Sequence, residues 1–421
     1  MTVSSPNIDS PLPRGLRGYA ALLSRNRNVR MIWFGQLISY IGDWFNTVAV
    51  LGLLIDLTKS PASASLVTVA QILPSALAGL FLSGVVADRF DRRKIMIVAD
   101  IARGLIALSY LFVRAPETAW IAYAGTIGLS LGASFFNPAS SAAMPNLTTK
   151  EELPLANALG QSTFASMLFV GALIGGIVSQ VFGRNVAFVL NSLSFFASAF
   201  FISRTSGSFN ASRGVQVIAG SSALRVLTDG FLYLKDNVEA RTYVLVKFAW
   251  SWIFGAMGLY SVYALNIYRI GDIGTSYLYA ARGVGAFISP IVVGTLIALT
   301  QLGKLKRVIR VGLVISVVGY MLFALSNTIY VGMAGAFFGH FGGAMVWTFS
   351  NLILQVTTPD RLRGRVLALD GVAQSLVIAT ANLIAGSIAT VGDPHLGATT
   401  VVVMGIIGAI IWSIASWKWK S

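Results

Sequence analysis

Twelve long apolar stretches divide this chain, and they constrain its fold more than any other feature of the sequence. A helix needs about 20 apolar residues to cross a hydrocarbon core of roughly 30 Å. Because lipid cannot satisfy backbone N–H and C=O groups, such stretches must form helices or closed barrels, and continuous apolar runs favour helices. We predict spanning helices at 31–55, 63–87, 95–113, 119–142, 157–182, 185–203, 243–268, 277–300, 308–326, 328–354, 366–391 and 397–417.

The composition is typical of a protein whose surface is largely in contact with lipid. Of the 421 residues, 55% are hydrophobic and 11% are charged, whereas soluble domains carry about 25% charged residues. The absence of cysteine excludes disulfides, thiol catalysis and cysteine metal sites. Two histidines, His340 and His395, are too few for a histidine metal cluster. We therefore predict neither a metal centre nor a cofactor.

Basic residues alternate between the predicted loops and indicate an orientation. Of 31 Lys and Arg residues, 24 lie in the termini and in the loops at 88–94, 143–156, 204–242, 301–310 and 359–365. The opposite loops contain only Lys59, Arg114, Arg184 and Arg269. Because basic loops are retained in the cytoplasm, both termini are predicted to be cytoplasmic. This placement accounts for the net charge of +15, so we expect no nucleic-acid partner.

A weak internal repeat divides the chain into two halves. Residues 146–153 align with 355–362 at an offset of 209, and residues 171–176 align with 381–386 at an offset of 210. Six spans separate the copies, so both have the same membrane orientation, as in transporters with parallel repeats and a site at the repeat interface. We predict a basic cytoplasmic arm at 1–30, a six-helix bundle at 31–204, a cytoplasmic linker at 205–242 and a second bundle at 243–421.

The loop after the second predicted span carries a motif of glycine, an Asp-Arg pair and a basic cluster. It consists of Gly84, Asp88, Arg89, Arg92 and Arg93. The motif resembles the signature loop of the major facilitator superfamily, which implies a role in conformational gating. The resemblance also implies the fold of that superfamily, an all-α integral membrane fold of twelve transmembrane helices in two parallel-repeat bundles.

Two further groups are candidates for conformational gating. Asp100 and Arg103 are three residues apart in the third span, so they share a helix face and can pair. The second group is the Arg363-Gly364-Arg365 segment, which lies in a basic loop of the second half.

More of the chain resembles one branch of that superfamily, the bacterial drug:proton antiporters related to macrolide and enterobactin exporters. The matching stretches lie at 35–44, 135–138, 144–145, 188–191, 194–195 and 363–366. The segment at 171–176 resembles the antiporter motif of span five, with Ala172 where proline is usual. The resemblance implies a monomeric transporter of the bacterial inner membrane that exchanges protons for small amphipathic organic molecules.

Asp43 is the strongest candidate for accepting a proton or for pairing with a cationic substrate, and the alternative is a structural carboxylate that bonds to a neighbouring helix. It lies twelve residues into span one, which places it about 18 Å deep and near the bilayer midplane. Ionisable groups at such depths usually serve function. His340 lies at similar depth in span ten and could share a proton with Asp43, although a neutral histidine packed among glycines is equally consistent.

Other polar and aromatic residues of the spans are candidates for the substrate site. Arg282 could hold an anionic group of the substrate or reach the interface. The remaining candidates are Asn46, Trp250, Trp347 and Asn351, since aromatic rings with sparse amides suit an amphipathic organic ligand. Lys247 and Asp370 are predicted to extend their polar ends towards the cytoplasmic interface.

The leading hypothesis is a proton-coupled exporter of drugs, macrolides or siderophore-like metabolites. The alternatives are a lysophospholipid flippase on the same fold, a ferroportin-like exporter of divalent metals and a membrane receptor that transports nothing. No phosphate-binding loop of the Gly-x-x-x-x-Gly-Lys-Ser/Thr form occurs in the sequence. No nucleophile–base pair stands out either, so an enzyme is not expected.

Overall fold

The computed structural model describes residues 16–79, 86, 90–207, 209, 223–296 and 302–417. Across these ranges the chain is almost entirely helical and contains no strand. Eleven of the helical segments there are long and apolar enough to cross a membrane, and one bent pair of helices makes a twelfth span. The prediction of a twelve-span, all-helical membrane protein is therefore confirmed.

The described part of the first half contains one short helix, α1, besides its spans, and its fifth span is divided into two helices. Its helices are α1 (Leu16–Arg25), α2 (Arg27–Thr58), α3 (Pro61–Ala78), α4 (Arg92–Ser109), α5 (Ala119–Leu147), α6 (Glu152–Met167), α7 (Val170–Phe182) and α8 (Arg184–Ser203). The side chains of Asn26 and Asp91 cap α2 and α4 by accepting backbone N–H groups. Pro61 occupies the first turn of α3, where its missing N–H removes no helical bond.

The second half begins with an amphipathic helix. Its helices are α9 (Ala223–Asp236), α10 (Val238–Phe254), α11 (Gly271–Leu296), α12 (Leu302–Ala324), α13 (Ile329–Thr357), α14 (Asp360–Val391) and α15 (Pro394–Trp417). After α10 the same span continues through short 3₁₀ and π segments to Ile267. Asn237 caps α10 by accepting the N–H of Ala240 at 2.9 Å.

Several helix boundaries differ from those predicted. The predicted loop at 359–365 forms the start of α14, and the described part of the predicted linker at 205–242 contains α9 and the first turn of α10. The eighth span begins at Gly271 rather than at residue 277, which places Arg282 eleven residues, or ~17 Å, into the helix.

The fifth span is bent rather than straight. α6 and α7 meet at an angle of 40°. At the break, the N–H groups of Leu168 and Phe169 bond to carbonyls three residues earlier, both at 3.3 Å. Such a tightened turn interrupts an α-helix without a proline.

Among the described residues, the most extensive helix contacts between the halves are those of α3 with α14 and of α7 with α11. At Gly283 on α11, a Cβ atom would lie 2.7 Å from the main-chain carbonyl of Leu168. Because a backbone cannot yield as a side chain does, glycine is required for α11 to approach the break between α6 and α7 this closely. The interface between the halves is therefore tight beside the bend.

Candidate functional site: a charged cavity between the two halves

A cavity of about 360 Å³ lies between the two halves. Its first-half wall comes from α2 to α6, and its second-half wall comes from α10, the segment after it, and α11. The residues that line it are Ser39, Tyr40, Asp43, Trp44, Thr47, Thr68, Gln71, Ile72, Arg103, Ala133, Phe136, Asn137, Phe164, Met167, Leu168, Phe254, Met257, Tyr279 and Arg282. Three predicted site residues therefore share one cavity: Asp43, Arg103 and Arg282.

The first-half wall holds a cluster of three charges. Nη2 of Arg103 lies 2.9 and 3.1 Å from the two carboxylate oxygens of Asp43, and Nη1 lies 3.4 Å from Asp100. The pair within α4 follows from the sequence spacing, whereas the pair between α4 and α2 was not predicted. The Arg103 guanidinium also lies 3.9 Å from the centre of the Phe195 ring, a favourable cation–π distance. One cation thus holds two carboxylates inside the membrane-spanning region.

The second-half wall carries Arg282, which is supported from behind by His340. Nε of Arg282 donates a hydrogen bond to Nε2 of His340 at 2.7 Å. The other ring nitrogen, Nδ1, lies 2.7 Å from the hydroxyl of Tyr320. Nε2 accepts this hydrogen bond, so it carries no proton itself. The imidazole ring is therefore neutral, with its proton on Nδ1. His340 positions Arg282, and the structure does not bring it to Asp43.

The second half also contains a buried ion pair outside the cavity. The Lys247 ammonium bonds to the Asp370 carboxylate and donates to the side-chain oxygen of Asn351 at 2.6 Å. Gln374 donates to Asp370 at 3.0 Å. The Lys247 side chain is 0% exposed and that of Asp370 is 4% exposed. The prediction that these side chains extend to the interface was therefore wrong, because each finds its partner within the bundle.

A second ion-pair cluster joins the halves at one end of the molecule, which we call the Arg184 end. Arg184 contacts Asp56 at 2.6 Å within the first half and Asp272 of the second half at 2.8 and 2.9 Å. Ser179 donates to the same Asp272 carboxylate. At the same end, the hydroxyls of Ser60 and Thr390 lie 3.2 Å apart across the halves. This cluster was not predicted, since its members lie on different helices that are far apart in the sequence.

Among the predicted gating residues that the structure describes, only Arg103 lines the cavity. Gly84, Asp88 and Arg89 lie outside the described residues. Arg92 donates to the main-chain oxygen of Ala142 at 2.7 Å, and Arg93 donates to main-chain oxygens at the end of α8.

The corresponding segment of the second half has its own contacts. Arg365 pairs with Asp229 of α9, which ties that helix to α14. Arg363 lies 3.5 Å from the main-chain oxygen of Thr358. A Cβ at Gly364 would meet no atom within 4 Å, so close packing does not explain this glycine.

Four other predicted substrate residues are absent from the cavity lining. Asn351 bonds to Lys247, and Trp250 packs against Gly343 and Phe254. The side chain of Asn46 is buried, whereas Trp347 is 50% exposed on the outside of the bundle. Residues that sequence reasoning missed, such as Tyr40, Gln71 and Tyr279, form much of the wall. Their only signal was polarity at mid-span.

The described residues offer no group of three acidic, histidine or cysteine side chains that could hold a metal ion. Asp43 and His340, which could have contributed ligands to a metal site, are held by different partners. The geometry therefore gives the metal-exporter alternative no support.

Comparison with known proteins identifies the fold and the family. A family profile described as "transmembrane secretion effector" matches residues 18–419. Two solved transporters share the fold across nearly the whole chain. A bacterial homologue of the lysosomal transporter Spinster, inward-facing and occupied, has a TM-score of 0.71 at 12% identity, covering 96% of this chain and 98% of its own. A peptide transporter of the POT family has a TM-score of 0.74 at 10% identity, covering 97% and 96%.

Sequence relatives include exporters. The MFS-type transporter YfiS of Bacillus subtilis, itself uncharacterized, is 30% identical over 54% of this chain and 52% of its own length. The putative bacilysin exporter BacE of Bacillus subtilis is 27% identical over 62% of this chain and 64% of its own. Macrolide efflux protein A of Streptococcus pyogenes is 28% identical over 38% and 40%. The matched regions thus span between two fifths and two thirds of these curated relatives.

Proposed function

This chain belongs to the transmembrane secretion effector family of the major facilitator superfamily, and we propose that it is a proton-coupled exporter of amphipathic organic compounds. The observation that carries the proposal is the ion pair between Asp43 and Arg103 on the wall of the cavity between the halves. Efflux proteins among its relatives support export as the direction of transport.

The cavity wall supports a role for Asp43 in accepting the proton. Its side chain is 35% exposed, whereas Arg103 is 7% exposed and Asp100 is 0% exposed. Asp43 is therefore the carboxylate of the cluster that water and substrate can reach. A proton on Asp43 removes its charge and weakens its bond to Arg103, which remains tethered by Asp100. Such a change in pairing alters the contact between α2 and α4.

The Arg184 cluster supports alternating access by rocking of the two halves. Asp272 bonds across the interface to Arg184 and Ser179, so opening the Arg184 end requires these bonds to break. The loops at this end are poor in basic residues, and the opposite loops are rich in them. We infer that the Arg184 end faces the outside of a bacterial cytoplasmic membrane, that both termini are cytoplasmic and that the monomer transports.

A cleft between α3 and α14 favours a second candidate function, lipid or lysolipid movement without a coupling proton. This cleft has a volume of about 490 Å³, and Gln71 and Ile72 line both the cleft and the central cavity. A lipophilic substrate could therefore enter sideways from the bilayer. Lipid movement that persists after the proton gradient is collapsed distinguishes this function from coupled export.

The proposal is tested with inverted membrane vesicles that contain a quenched pH dye and carry an inward proton gradient. A lipophilic cation, a macrolide, a catecholate siderophore and a lysophospholipid are added in turn. We expect proton release from the vesicles with at least one class, and no release with Asp43→Asn. Proton release by the variant at the rate of the unchanged protein would contradict the proposed role of Asp43. Absence of release for every class, with lipid movement intact, would favour the lipid transporter.

A further inference from the structure

The two walls of the cavity carry opposite formal charges. On the first-half wall, the carboxylates of Asp43 and Asp100 share the single guanidinium of Arg103, which leaves one excess negative charge. On the second-half wall, Arg282 bonds to a neutral histidine, His340, which leaves one excess positive charge. In the described part of the chain, Arg282 forms no ion pair with a carboxylate.

Each excess charge is available to a ligand. Asp43 is the most exposed member of its cluster and lines the cavity. Arg282 also lines it and uses its Nε for His340, so the two terminal nitrogens of its guanidinium stay free to donate. These nitrogens form the fork that binds a carboxylate through two parallel hydrogen bonds. The cavity thus presents a carboxylate acceptor on its first-half wall and two guanidinium donors on its second-half wall.

An aromatic contact between the halves belongs to the same cavity lining as the two charges. Trp44 follows Asp43 in α2, and its ring meets the ring of Tyr279 edge-on at a centroid distance of 5.3 Å. Tyr279 lies one helical turn before Arg282 in α11, and the Arg282 guanidinium lies 5.7 Å from its ring centre. The cavity that Asp43 and Arg282 line therefore also has an apolar, aromatic surface, formed by Trp44 and Tyr279.

The volume of the cavity limits the ligand. Sites for small molecules range over roughly 300–1,000 Å³, so 360 Å³ is near the lower limit. A compact molecule fits this space better than a large macrocycle. A ligand with a single charge would pair with one wall and leave the charge on the opposite wall without a partner. An unpaired charge in a site of low polarity raises the free energy of the complex.

We propose that the substrate is a compact zwitterion whose protonated amine binds Asp43, whose carboxylate binds Arg282 and whose apolar body packs against the aromatic rings of the cavity lining. This inference rests on the proposed function, because it assumes that the cavity is the transport site. Such a ligand bridges the two halves and links their movement. A proton that arrives at Asp43 removes the partner of the amine, which couples substrate release to proton entry.

The first experiment needs no variant. The full chain is reconstituted in lipid nanodiscs, and binding of radiolabelled L-phenylalanine and L-alanyl-L-phenylalanine is compared with binding of their N-acetyl, C-amide and doubly capped derivatives. We expect each cap to weaken the binding of at least one of these probes about tenfold or more, as loss of a charge-assisted bond predicts. Equal binding of capped and free forms, or no binding of either free form, would overturn the inference.

Variants then assign each end of the ligand to its wall. With Arg282→Gln, the free and C-amide forms should bind equally, whereas the N-acetyl form should still bind more weakly than the free form. With Asp43→Asn, the free and N-acetyl forms should bind equally, whereas the C-amide form should still bind more weakly. Arg204→Gln is the matched control, since Arg204 also lies over an aromatic ring, that of Phe200, but outside the cavity. Size-exclusion profiles establish that each variant is folded. Loss of both preferences in either variant would contradict the assignment.

The outcomes separate this inference from the proposed function. If amphipathic cations or macrolides release protons from vesicles while capped and free peptides bind alike, the exporter stands and the zwitterion is excluded. If free peptides bind with the expected preferences but no substrate releases protons, the ligand chemistry stands and proton coupling fails.

Discussion

Arg103 on α4 lies 2.9 Å from the carboxylate of Asp43 on α2, across 60 residues of sequence. The same guanidinium holds Asp100, which is fully buried. An ion pair that links two spans and also faces a cavity is placed to respond both to protons and to ligands. We therefore propose that this contact is the centre of the transport cycle, whereas the buried pair of Lys247 and Asp370 holds helices in place.

The buried pair of Lys247 and Asp370 is expected to stabilise the second half. Lys247→Met leaves the Asp370 carboxylate without its cation and should lower the free energy of unfolding by about 3–5 kcal/mol. The double variant Lys247→Met/Asp370→Leu removes both charges and should recover most of that loss. Thermal unfolding of purified protein in detergent measures both effects.

A matched control is available on the surface. Lys306 and Glu239 form a pair at 3.3 Å whose side chains are 34% and 47% exposed. Lys306→Met should change the unfolding free energy by no more than about 1 kcal/mol. If Lys247→Met lowers the free energy of unfolding no more than this control does, the buried pair does not stabilise the second half as proposed.

A cross-link should report opening at the Arg184 end. The chain contains no cysteine, so Ser60→Cys/Thr390→Cys introduces a single reactive pair where the two hydroxyls now lie 3.2 Å apart. Oxidation should join the halves and stop transport, because the end can no longer open. Reduction should restore transport, and Ser60→Cys alone should be unaffected by oxidant. Transport at full rate in the cross-linked protein would show that this end does not open during the cycle.

The close contact at Gly283 predicts a conformational effect of a small substitution. In Gly283→Ala the new Cβ would lie 2.7 Å from the Leu168 main chain, so α11 must move away from the bend in the fifth span. Transport should fall several-fold, and single cysteines at the Arg184 end should react faster with a polar maleimide. Gly160→Ala is the control, since nothing lies within 4 Å of that position and alanine favours the helix. Equal labelling in both variants would contradict the requirement for glycine at 283.

The spans and their number could be predicted from the sequence because hydropathy follows from local composition. The helical start of α14 at Asp360 could not be predicted, because the first turns of this helix are rich in charged residues and resemble a loop. The depth of Arg282 was missed for the same reason, because the polar residues after Gly271 concealed the first turns of α11.

The partners of the charged side chains were harder to predict than the spans. Asp100 and Arg103 share a helix face, and their pairing follows from spacing alone. The bond from Arg103 to Asp43 depends on how α4 packs against its neighbours, which no local pattern encodes. Lys247 and Asp370 illustrate the same limit, since 123 residues separate them. Their positions near predicted span ends favoured exposure, and only tertiary packing reveals the pair.

The most direct test of the account uses proteoliposomes that contain either the unchanged protein or Asp43→Asn, with a substrate identified in the vesicle assay. Exchange of labelled for unlabelled substrate is measured without a gradient, and accumulation is measured with an imposed pH gradient. We predict that Asp43→Asn retains exchange and loses accumulation, because the substrate path remains while proton binding is lost. Accumulation by Asp43→Asn at the rate of the unchanged protein would contradict the central claim that Asp43 couples transport to protons.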